Sequence, residues 1–443
     1  MLVQTLSEAE SAAPISFLPK GWAGAIVLLL LLLVAGESVY TGTVTALESS
    51  KDLQWDEAKL LVDGIDPYSL FLDPTAPVPA YVNQGNLGLS QLPSSIVMFL
   101  PLAAVSFDTA KLIWIIVNFV STFVFVFFSC RLFLRGPVPA SSLAALMLLL
   151  VAGTPWWITV GNGQYGLFAL ALFTGALAFF ERRRLKAAAV LSCLASIKYT
   201  LVLPLFALFL PRKKDTAVIV AAVLLFNAAL TILAGILVHK STLNLVEESL
   251  TIASSIAGTG AFDFFALQSR VAPELTRLVP ATLSALVIAL TIILFWRPNG
   301  LRSLAILSIV SLVIVYHRIY DGVVLLLMLF HLRALYLRLD RRSWKGSHLL
   351  DRLELWVGCF IIAYVFFFET LIYENLRRET FDWIENAFSI LLYLYLAFLF
   401  ARAFVERGAE TGFGSAVIAE ATTAESIRTP LERTSSSKSN SAV

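Results

Sequence analysis

The sequence predicts an all-α fold, a polytopic transmembrane helical bundle of about 11–12 spans with one broken helix pair and a large first external loop. Hydrophobic residues make up 58% of the chain and charged residues only 14%, which excludes an ordinary soluble globular domain. Many apolar runs are long enough to cross about 30 Å of hydrocarbon. Clusters of arginine and lysine recur at alternate ends of these runs, as expected when a chain crosses a membrane repeatedly.

The composition argues against several classes of function. The formal net charge of +2 gives no reason to expect nucleic acid as a partner. The three cysteines lie within apolar runs and form no disulfide or metal-binding pattern. No phosphate-binding loop, dinucleotide fingerprint, zinc-protease motif or nucleophile elbow is present. We therefore expect no cofactor and no resident metal, although the carboxylates of Asp52, Asp56 and Asp66 could hold one.

The chain is expected to divide into three parts. Residues 1–20 form a cytoplasmic N-terminal arm, residues 21–405 form the transmembrane domain, and the Ser-, Thr- and Glu-rich residues 406–443 form a disordered cytoplasmic tail. Large external loops are expected at residues 41–92 and 239–278. The predicted spans are residues 21–40, 111–134, 141–157, 164–180, the broken pair at 185–210, 216–238, 279–296, 301–316, 321–337, 353–373 and 384–404.

The basic clusters orient these spans with their arginines and lysines in the cytoplasm. The number of membrane crossings agrees with the positions of the basic clusters only if the apolar residues 93–107 do not cross the membrane. We therefore predict that they form a helix lying in the outer interface. Arg377 and Arg378 are the exception, because they fall on the external side. With this topology the polar loops and turns that are hardest to explain by packing meet on the external face.

The predicted site is centred on the stretch 161–210. A polar turn at 161–164 precedes an apolar helix that ends in a basic turn, and a second apolar run follows. Both ends of the second run are basic, so it should enter the membrane, turn near Lys198 and return to the same side. A charged side chain costs about 2.5–3.5 kcal/mol at the bilayer centre on insertion scales. We therefore predict a functional role for Lys198 and the adjacent Tyr199, with snorkelling of the lysine to the surface as the alternative.

Asp52 and Asp56 are the candidate catalytic carboxylates. Their spacing of four residues puts both on one face of an amphipathic helix predicted in the first external loop, which Gly64 should end. A carboxylate there could act as the general base for a hydroxyl group at the membrane surface. The alternative is a solvated acidic face that also includes Glu57 and Asp63. Spacing does not decide which of the two aspartates would be the base.

Further candidates lie in polar turns on the same side. The turn Tyr316-His317-Arg318-Ile319-Tyr320-Asp321 separates two apolar spans. Arg318 breaks the positive-inside pattern, which favours anion binding by His317 and Arg318, whereas Asp321 either belongs to the site or caps the next helix.

Asn162 and Gln164 could hydrogen-bond a sugar or cap the helix that begins near Tyr165. Asp263 and residues 268–270 lie in a loop that could cover the site.

These motifs resemble those of glycosyltransferase family 87. The stretch GNGQYGLFALALF…ERRRLKAAAVLSCLASIKYTLVLPL is similar to the core of that family, and DLQWDEAKLLVDGIDPY resembles its first external loop. YHRIYDGVVLLL occupies the position of an Asp-containing turn before a late span. The resemblance extends over roughly residues 22–337 and departs from the family at Gln91-Leu92-Pro93, where a Tyr-Pro-Pro motif is usual.

The resemblance implies a GT-C fold and an integral-membrane glycosyltransferase. Such an enzyme transfers a mannose- or arabinose-like sugar from a polyprenyl-phosphate donor to a lipid or glycan acceptor, on the external or periplasmic side of the cell membrane. Asp52 or Asp56 would deprotonate the acceptor hydroxyl. Lys198, Arg318 and also His317 would stabilise charge on the leaving lipid phosphate.

Two other functions remain compatible with the residues. A secondary transporter or lipid-sugar flippase also has broken helices and a cation within the membrane, but it should repeat the broken segment in both halves. A non-catalytic scaffold would tolerate the loss of Lys198.

Overall fold

A computed structural model gives the architecture of the chain. It describes residues 21–73, 75–82, 91–134, 138–256, 262–295, 300–315, 317–341, 349–369, 372, 375–376 and 378–428. These ranges are helical and contain no strand, which confirms the all-α class. The predicted N-terminal arm, Tyr316 and Arg377 lie outside the described residues.

The helices are numbered in chain order, and those before the broken pair carry the first external loop and the polar turn of the site. They are α1 (Gly21–Glu48), α2 (Trp55–Val62), α3 (Pro67–Leu72), α4 (Pro93–Val97), α5 (Leu100–Ala103), α6 (Phe107–Phe133), α7 (Ala140–Val151), α8 (Thr154–Gly161) and α9 (Gly166–Glu181).

The second half begins with the broken pair. Its helices are α10 (Leu185–Ala195), α11 (Tyr199–Val202), α12 (Lys213–Leu237), α13 (Thr242–Ile256), α14 (Phe264–Val271), α15 (Leu278–Phe295), α16 (Arg302–Val313), α17 (Leu326–Arg341), α18 (Leu349–Ala363) and α19 (Arg378–Arg428). Three 3₁₀ segments, Ser196–Lys198, Pro204–Arg212 and Ile319–Leu325, and one π-helical segment, Tyr364–Phe368, complete it.

Fewer candidate spans are found among the described residues than the 11–12 predicted. Seven of the described helices are long and apolar enough to cross a membrane, or eight if the bent pair α7–α8 is one span. Two of the expected spans are the shorter apolar helices α9 and α16, of 16 and 12 residues. Both are largely buried by other helices, so their length need not match the thickness of the bilayer.

Helix α1 continues past the predicted end of the first span at residue 40. Its 28 residues correspond to about 42 Å at 1.5 Å per residue, which exceeds the hydrocarbon thickness. The exposed Leu29, Leu30 and Leu33 are suited to face lipid. The first external loop is therefore shorter than predicted and begins after Glu48.

The predicted span at 141–157 is a bent pair rather than one helix. Helices α7 and α8 meet at an angle of 67°. Pro155 lies in the first turn of α8, and Gly153 precedes it. A Cβ atom on Gly153 would lie 2.4 Å from Cδ1 of Phe366, so glycine permits the close packing at this bend. The bend directs α8 towards the polar turn that precedes α9.

Residues 93–107 form two short helices, neither of which is a candidate span. This agrees with the prediction that the segment does not cross the membrane, while its position in the outer interface stays a prediction. Helix α4 is buried and packs against α12 and α2. The Ser94 hydroxyl donates to Oδ1 of Asn227 at 2.8 Å, which fixes this contact.

The C-terminal segment also differs from the prediction. Helix α19 continues to Arg428, whereas disorder was expected from residue 406 onwards. The residues between 407 and 428 include many alanines and glutamates, which favour helix, and contain no proline. Residues 429–443 lie outside the described part of the chain.

The broken pair returns to the end from which it started. Arg212, at the end of the pair, donates a hydrogen bond to the Phe180 carbonyl oxygen at 2.5 Å, and its Nη2 lies 3.5 Å from Oε2 of Glu181. The 3₁₀ break at Lys198 lies beside the opposite end of α9. Since α9 has 16 residues, these two ends are about 24 Å apart. The path matches the one predicted from the charges.

Gly163 joins the first external loop to the turn before α9. Its φ of +70° is a conformation that glycine adopts without steric cost. A Cβ atom at this position would lie 2.9 Å from Cβ of Leu53. The backbone N–H of Asp52 donates to the Asn162 carbonyl oxygen at 2.8 Å. The candidate acidic segment is thereby held against the candidate polar turn.

Candidate functional site

Lys198 is paired within the protein and does not extend to the surface. Its Nζ lies 2.6 Å from Oδ1 of Asp321 and donates to Oε1 of Gln164 at 3.0 Å. The ammonium also lies 5.1 Å from the ring centroid of Tyr165 and 4.8 Å from that of Tyr320. Both rings present a face to which a cation is attracted. The snorkelling alternative for Lys198 is therefore wrong.

Asp321 joins Lys198 to His317. Its Oδ2 lies 2.8 Å from Nδ1 of His317, and all three side chains are buried. Because an ionised carboxylate only accepts hydrogen bonds, Nδ1 of His317 carries a proton. The other ring nitrogen, Nε2, is buried and has no hydrogen-bond partner among the described residues. Asp321 does not cap a helix, since the 3₁₀ segment begins at Ile319 after Arg318.

Gln164 and Asn162 are not capping residues of α9. The helix is preceded by Tyr165, and no side chain caps it. The Gln164 side chain binds Lys198, while its carbonyl oxygen accepts a hydrogen bond from Nε1 of Trp114 at 3.3 Å. Asn162 contributes its carbonyl oxygen to the backbone of Asp52. Gln164 is therefore part of the cation site, and Asn162 holds the acidic segment beside it.

The first external loop does not have the predicted helical register. Helix α2 begins at Trp55, so Asp52 precedes it and does not share a helical face with Asp56. The Trp55 indole, at the first position of this helix, donates to the carbonyl oxygens of Leu102 and Val105. The helix ends before Gly64, as predicted.

The interpretation as a solvated acidic face is wrong for two of its members. Asp56 and Glu57 are 5% and 0% exposed, whereas Asp63 is exposed and pairs with Lys59. Asp52 is half-buried, and its Oδ2 has no hydrogen-bond partner among the described residues. Buried carboxylates such as these need a reason other than solvation.

Arg318 and Tyr199 border this cluster. Arg318 is exposed, whereas its neighbour His317 is fully buried. Tyr199 follows the break at Lys198 and lies close enough to Tyr165 and Tyr68 for its charge state to affect theirs. The polar turn containing Arg318 is held to α8, since the Thr159 hydroxyl donates to the Tyr320 carbonyl oxygen at 3.2 Å.

The second external loop reaches the site through Asp263. This carboxylate caps α14 by accepting the backbone N–H of Ala266 at 2.9 Å, and it also accepts the backbone N–H of His317. Burial raises the pKa of Asp263, and the two hydrogen bonds and the imidazole of His317 partly oppose that effect. The loop thereby fixes the position of His317.

Lys240 joins the two external loops at a second contact, which the sequence analysis missed. Its ammonium lies 2.6 Å from Oδ2 of Asp66 and 2.8 Å from the Ser69 hydroxyl, and it also binds Glu248. Burial would raise the pKa of Asp66, but hydrogen bonds from Lys240 and Ser69 outweigh it and lower that pKa. With the predicted topology, Lys240 is an exception to the positive-inside rule in the same way as Arg318.

Tyr165, Tyr320 and Glu57 were also missed as site residues. The two tyrosines each adjoin a candidate, Gln164 and Asp321, but no sequence pattern places their rings around Lys198. Within the described ranges, no three His, Cys, Asp or Glu side chains are arranged to hold a metal ion. Asp66, one of the possible metal ligands, binds Lys240.

The fold and the site define a multi-pass helical membrane protein with a buried, charged polar site at the end of α9 opposite its basic turn. Residues 93–317, half of the chain, match the family model described as Glycosyltransferase family 87. The chain belongs to this family and is a membrane glycosyltransferase. No curated protein and no solved structure matches the chain.

The ion pair of Lys198 and Asp321 can be tested by a double-mutant cycle. Lys198→Met or Asp321→Asn leaves one buried group without its partner, and each is expected to lower the free energy of unfolding by about 3–5 kcal/mol. The double variant should lose less than the sum of both, because no unpaired charge remains. Unfolding is measured in detergent or nanodiscs. The exposed pair Lys59–Asp63 is the control, with an expected coupling below about 1 kcal/mol. Additive losses at Lys198 and Asp321 would contradict the pairing.

The Lys240 contact should be independent of pH over a wide range. The pKa of Asp66 is lowered, so its contribution is present above the unfolded-state pKa and is lost as the pH falls through the folded-state pKa. The pKa of Lys240 is raised by Asp66 and Glu248 despite partial burial, so its contribution is lost only as the pH rises through that value. Lys240→Gln should increase hydrogen exchange in α3 and α13 equally at all pH values between about 5 and 9.

Lys59→Gln, which removes an exposed ion pair in the same loop, is the control and should change exchange little. A protective effect of Lys240 that disappeared between pH 6 and 8 would contradict this account.

Proposed function

We propose that this glycosyltransferase takes its sugar from a polyprenyl-phosphate donor and works on the external side of the membrane. The observation that carries the proposal is the position of Lys198. It is buried next to Asp321 at the N-terminal end of α9, and the basic turn at 182–184 lies at the other end of this helix, about 24 Å away. By the positive-inside rule that basic turn is cytoplasmic, so the site lies in the outer half of the membrane. A donor with a lipid anchor can reach this depth, whereas a soluble nucleotide sugar cannot.

The donor phosphate is assigned to Lys198 and His317. An ammonium has three N–H donors, of which Asp321 and Gln164 occupy two, so one remains for a phosphate oxygen. Nε2 of His317 provides a second group, as a donor when the ring is protonated. Arg318 is exposed and can approach the same phosphate from the external side. Fixed cations of this kind stabilise the charge that develops on a leaving phosphate.

Asp52 is the proposed general base. Its backbone is fixed to Asn162, two residues before the lysine-binding Gln164, and one carboxylate oxygen has no hydrogen-bond partner in the described structure. Asp56 lies within the helix and close to the Tyr81 hydroxyl. These differences favour Asp52 over Asp56.

The proposed reaction is a single displacement at the anomeric carbon. Asp52 takes the proton of an acceptor hydroxyl, and the oxygen forms a bond to that carbon. The bond between the carbon and the phosphate oxygen breaks, and polyprenyl phosphate leaves with its negative charge facing Lys198 and His317. No cofactor is needed for this balance. The acceptor is a lipid or a glycan, and mannose- and arabinose-like sugars are the first donors to test.

Transfer of radiolabelled sugar in nanodiscs tests this proposal with a panel of polyprenyl-phosphate sugars. Asp52→Asn should lower the rate of transfer by about 10²–10⁴-fold, which is the usual contribution of a general base to the rate. Lys198→Met should lower it by about 10²–10³-fold. Asp56→Asn should have a smaller effect than Asp52→Asn.

Asp63→Asn is the matched control, because Asp63 lies in the same loop and is exposed. It should retain wild-type activity. Full activity in both the Asp52 and Asp56 variants would rule out the proposed base. Movement of the labelled lipid between leaflets, without transfer or donor hydrolysis, would instead favour a lipid-sugar flippase.

A further inference from the structure

Tyr165 lies between the two halves of the proposed site. It follows Gln164 immediately before α9 and is 1% exposed. Its ring packs edge-on against Phe99, with centroids 5.4 Å apart, and its face lies 5.1 Å from the Lys198 ammonium. Two sides of the ring are therefore fixed by protein groups, which leaves the side chain little freedom to rotate.

The hydroxyl of Tyr165 is buried and has no hydrogen-bond partner among the described residues. Buried hydroxyl groups in proteins are nearly always hydrogen-bonded, so an exception calls for an explanation. Phenylalanine would keep the packing on Phe99 and the contact with Lys198 without leaving a polar atom unsatisfied. A tyrosine at this position thus suggests that a bound molecule supplies the partner.

The surroundings of this hydroxyl indicate what that partner is. Asp52, Glu57 and Asp321 are all close enough for their charges to act on it, as is the Tyr199 hydroxyl. Lys198 lies over the face of the ring, so a phosphate at Lys198 approaches the ring face, whereas the anionic neighbours disfavour a phosphate at the hydroxyl itself. An apolar lipid chain would leave the hydroxyl unsatisfied. A neutral hydroxyl group can both donate to it and accept from it.

We propose that the Tyr165 hydroxyl binds a hydroxyl group of the transferred sugar and so selects the sugar. The inference rests on the proposed function, because the donor phosphate at Lys198 and the base Asp52 place the sugar between them. Tyr165 contacts Lys198 and lies close enough to Asp52 for that charge to act on its hydroxyl. A sugar that lacks the matching hydroxyl leaves the phenol unpaired, and a site of this kind discriminates strongly against such an analogue.

The experiment compares wild type, Tyr165→Phe and Tyr364→Phe with a working donor and its singly deoxygenated analogues. Tyr364 is the matched control, because it is 3% exposed, stacks on Phe388 at 4.0 Å, and its hydroxyl also has no hydrogen-bond partner in the described structure. Tyr165→Phe should lower kcat/KM for the full donor by about tenfold or more. With the wild-type enzyme, one deoxy analogue should have a kcat/KM lower than that of the full donor by the same factor. With Tyr165→Phe, this analogue and the full donor should have equal kcat/KM values. Tyr364→Phe should behave as wild type with every donor.

Binding of the donor and of sugar-free polyprenyl phosphate is measured with the same proteins. Tyr165→Phe should weaken binding of the donor and leave binding of the sugar-free lipid unchanged. The thermal stability of the protein should not fall. If the wild type transfers sugar and Tyr165→Phe is equally active, the inference alone is overturned. The same holds if the losses caused by Tyr165→Phe and by the missing hydroxyl add for every deoxy analogue. A wild-type protein that binds neither lipid and transfers no sugar would overturn the proposed function and this inference with it.

Discussion

The structure of the site depends on how one ammonium group is accommodated in an apolar helix pair. Burying Lys198 without a partner would cost several kcal/mol, so its charge must be matched inside the protein. Asp321 supplies the opposite charge, Gln164 a carbonyl oxygen, and the rings of Tyr165 and Tyr320 two polarisable faces. These groups come from the start of α9 and from the turn before α17, so the pairing joins distant parts of the chain.

The same constraint explains the backbone around the site. A continuous helix through Lys198 would carry the chain onwards, but a 3₁₀ break at Ser196–Lys198 turns it back beside α9. The two external loops are then attached from outside, the first at Gly163 and the second through Asp263 and Lys240. Acidic side chains from the first loop are held against the turn that binds the lysine. The proposed base and the proposed phosphate site thus come from separate segments of the chain.

The sequence was sufficient to find the groups whose burial in an apolar run is costly. Lys198 was predicted for this reason, whereas His317, Asp321 and Gln164 were predicted from polar turns next to apolar spans. The structure brings the four side chains together. The helical class and the returning path of the broken pair follow from hydropathy and charge, which act locally along the chain. Spacing alone did not reveal that Asp52 precedes α2, where its backbone N–H donates to the Asn162 carbonyl oxygen in a distant part of the chain.

Features that depend on distant contacts were not predictable in this way. The bend between α7 and α8 requires the packing of Gly153 against Phe366, more than 200 residues away. Glu57 belongs to an acidic run that resembles a solvated helix face, but its side chain is fully buried in the folded protein. Helices such as α16 are apolar because they are buried in the protein, so hydropathy alone does not distinguish them from full-length spans.

The most direct test of the account is the position of a donor phosphate in the site. The structure of the protein in a nanodisc with a non-hydrolysable polyprenyl-phosphonate sugar would provide it. We expect a phosphonate oxygen within hydrogen-bond distance of Nζ of Lys198 and Nε2 of His317, with the sugar between that group and Asp52. A phosphonate bound instead among the basic residues at the opposite end of α9 would contradict the proposed site and its sidedness.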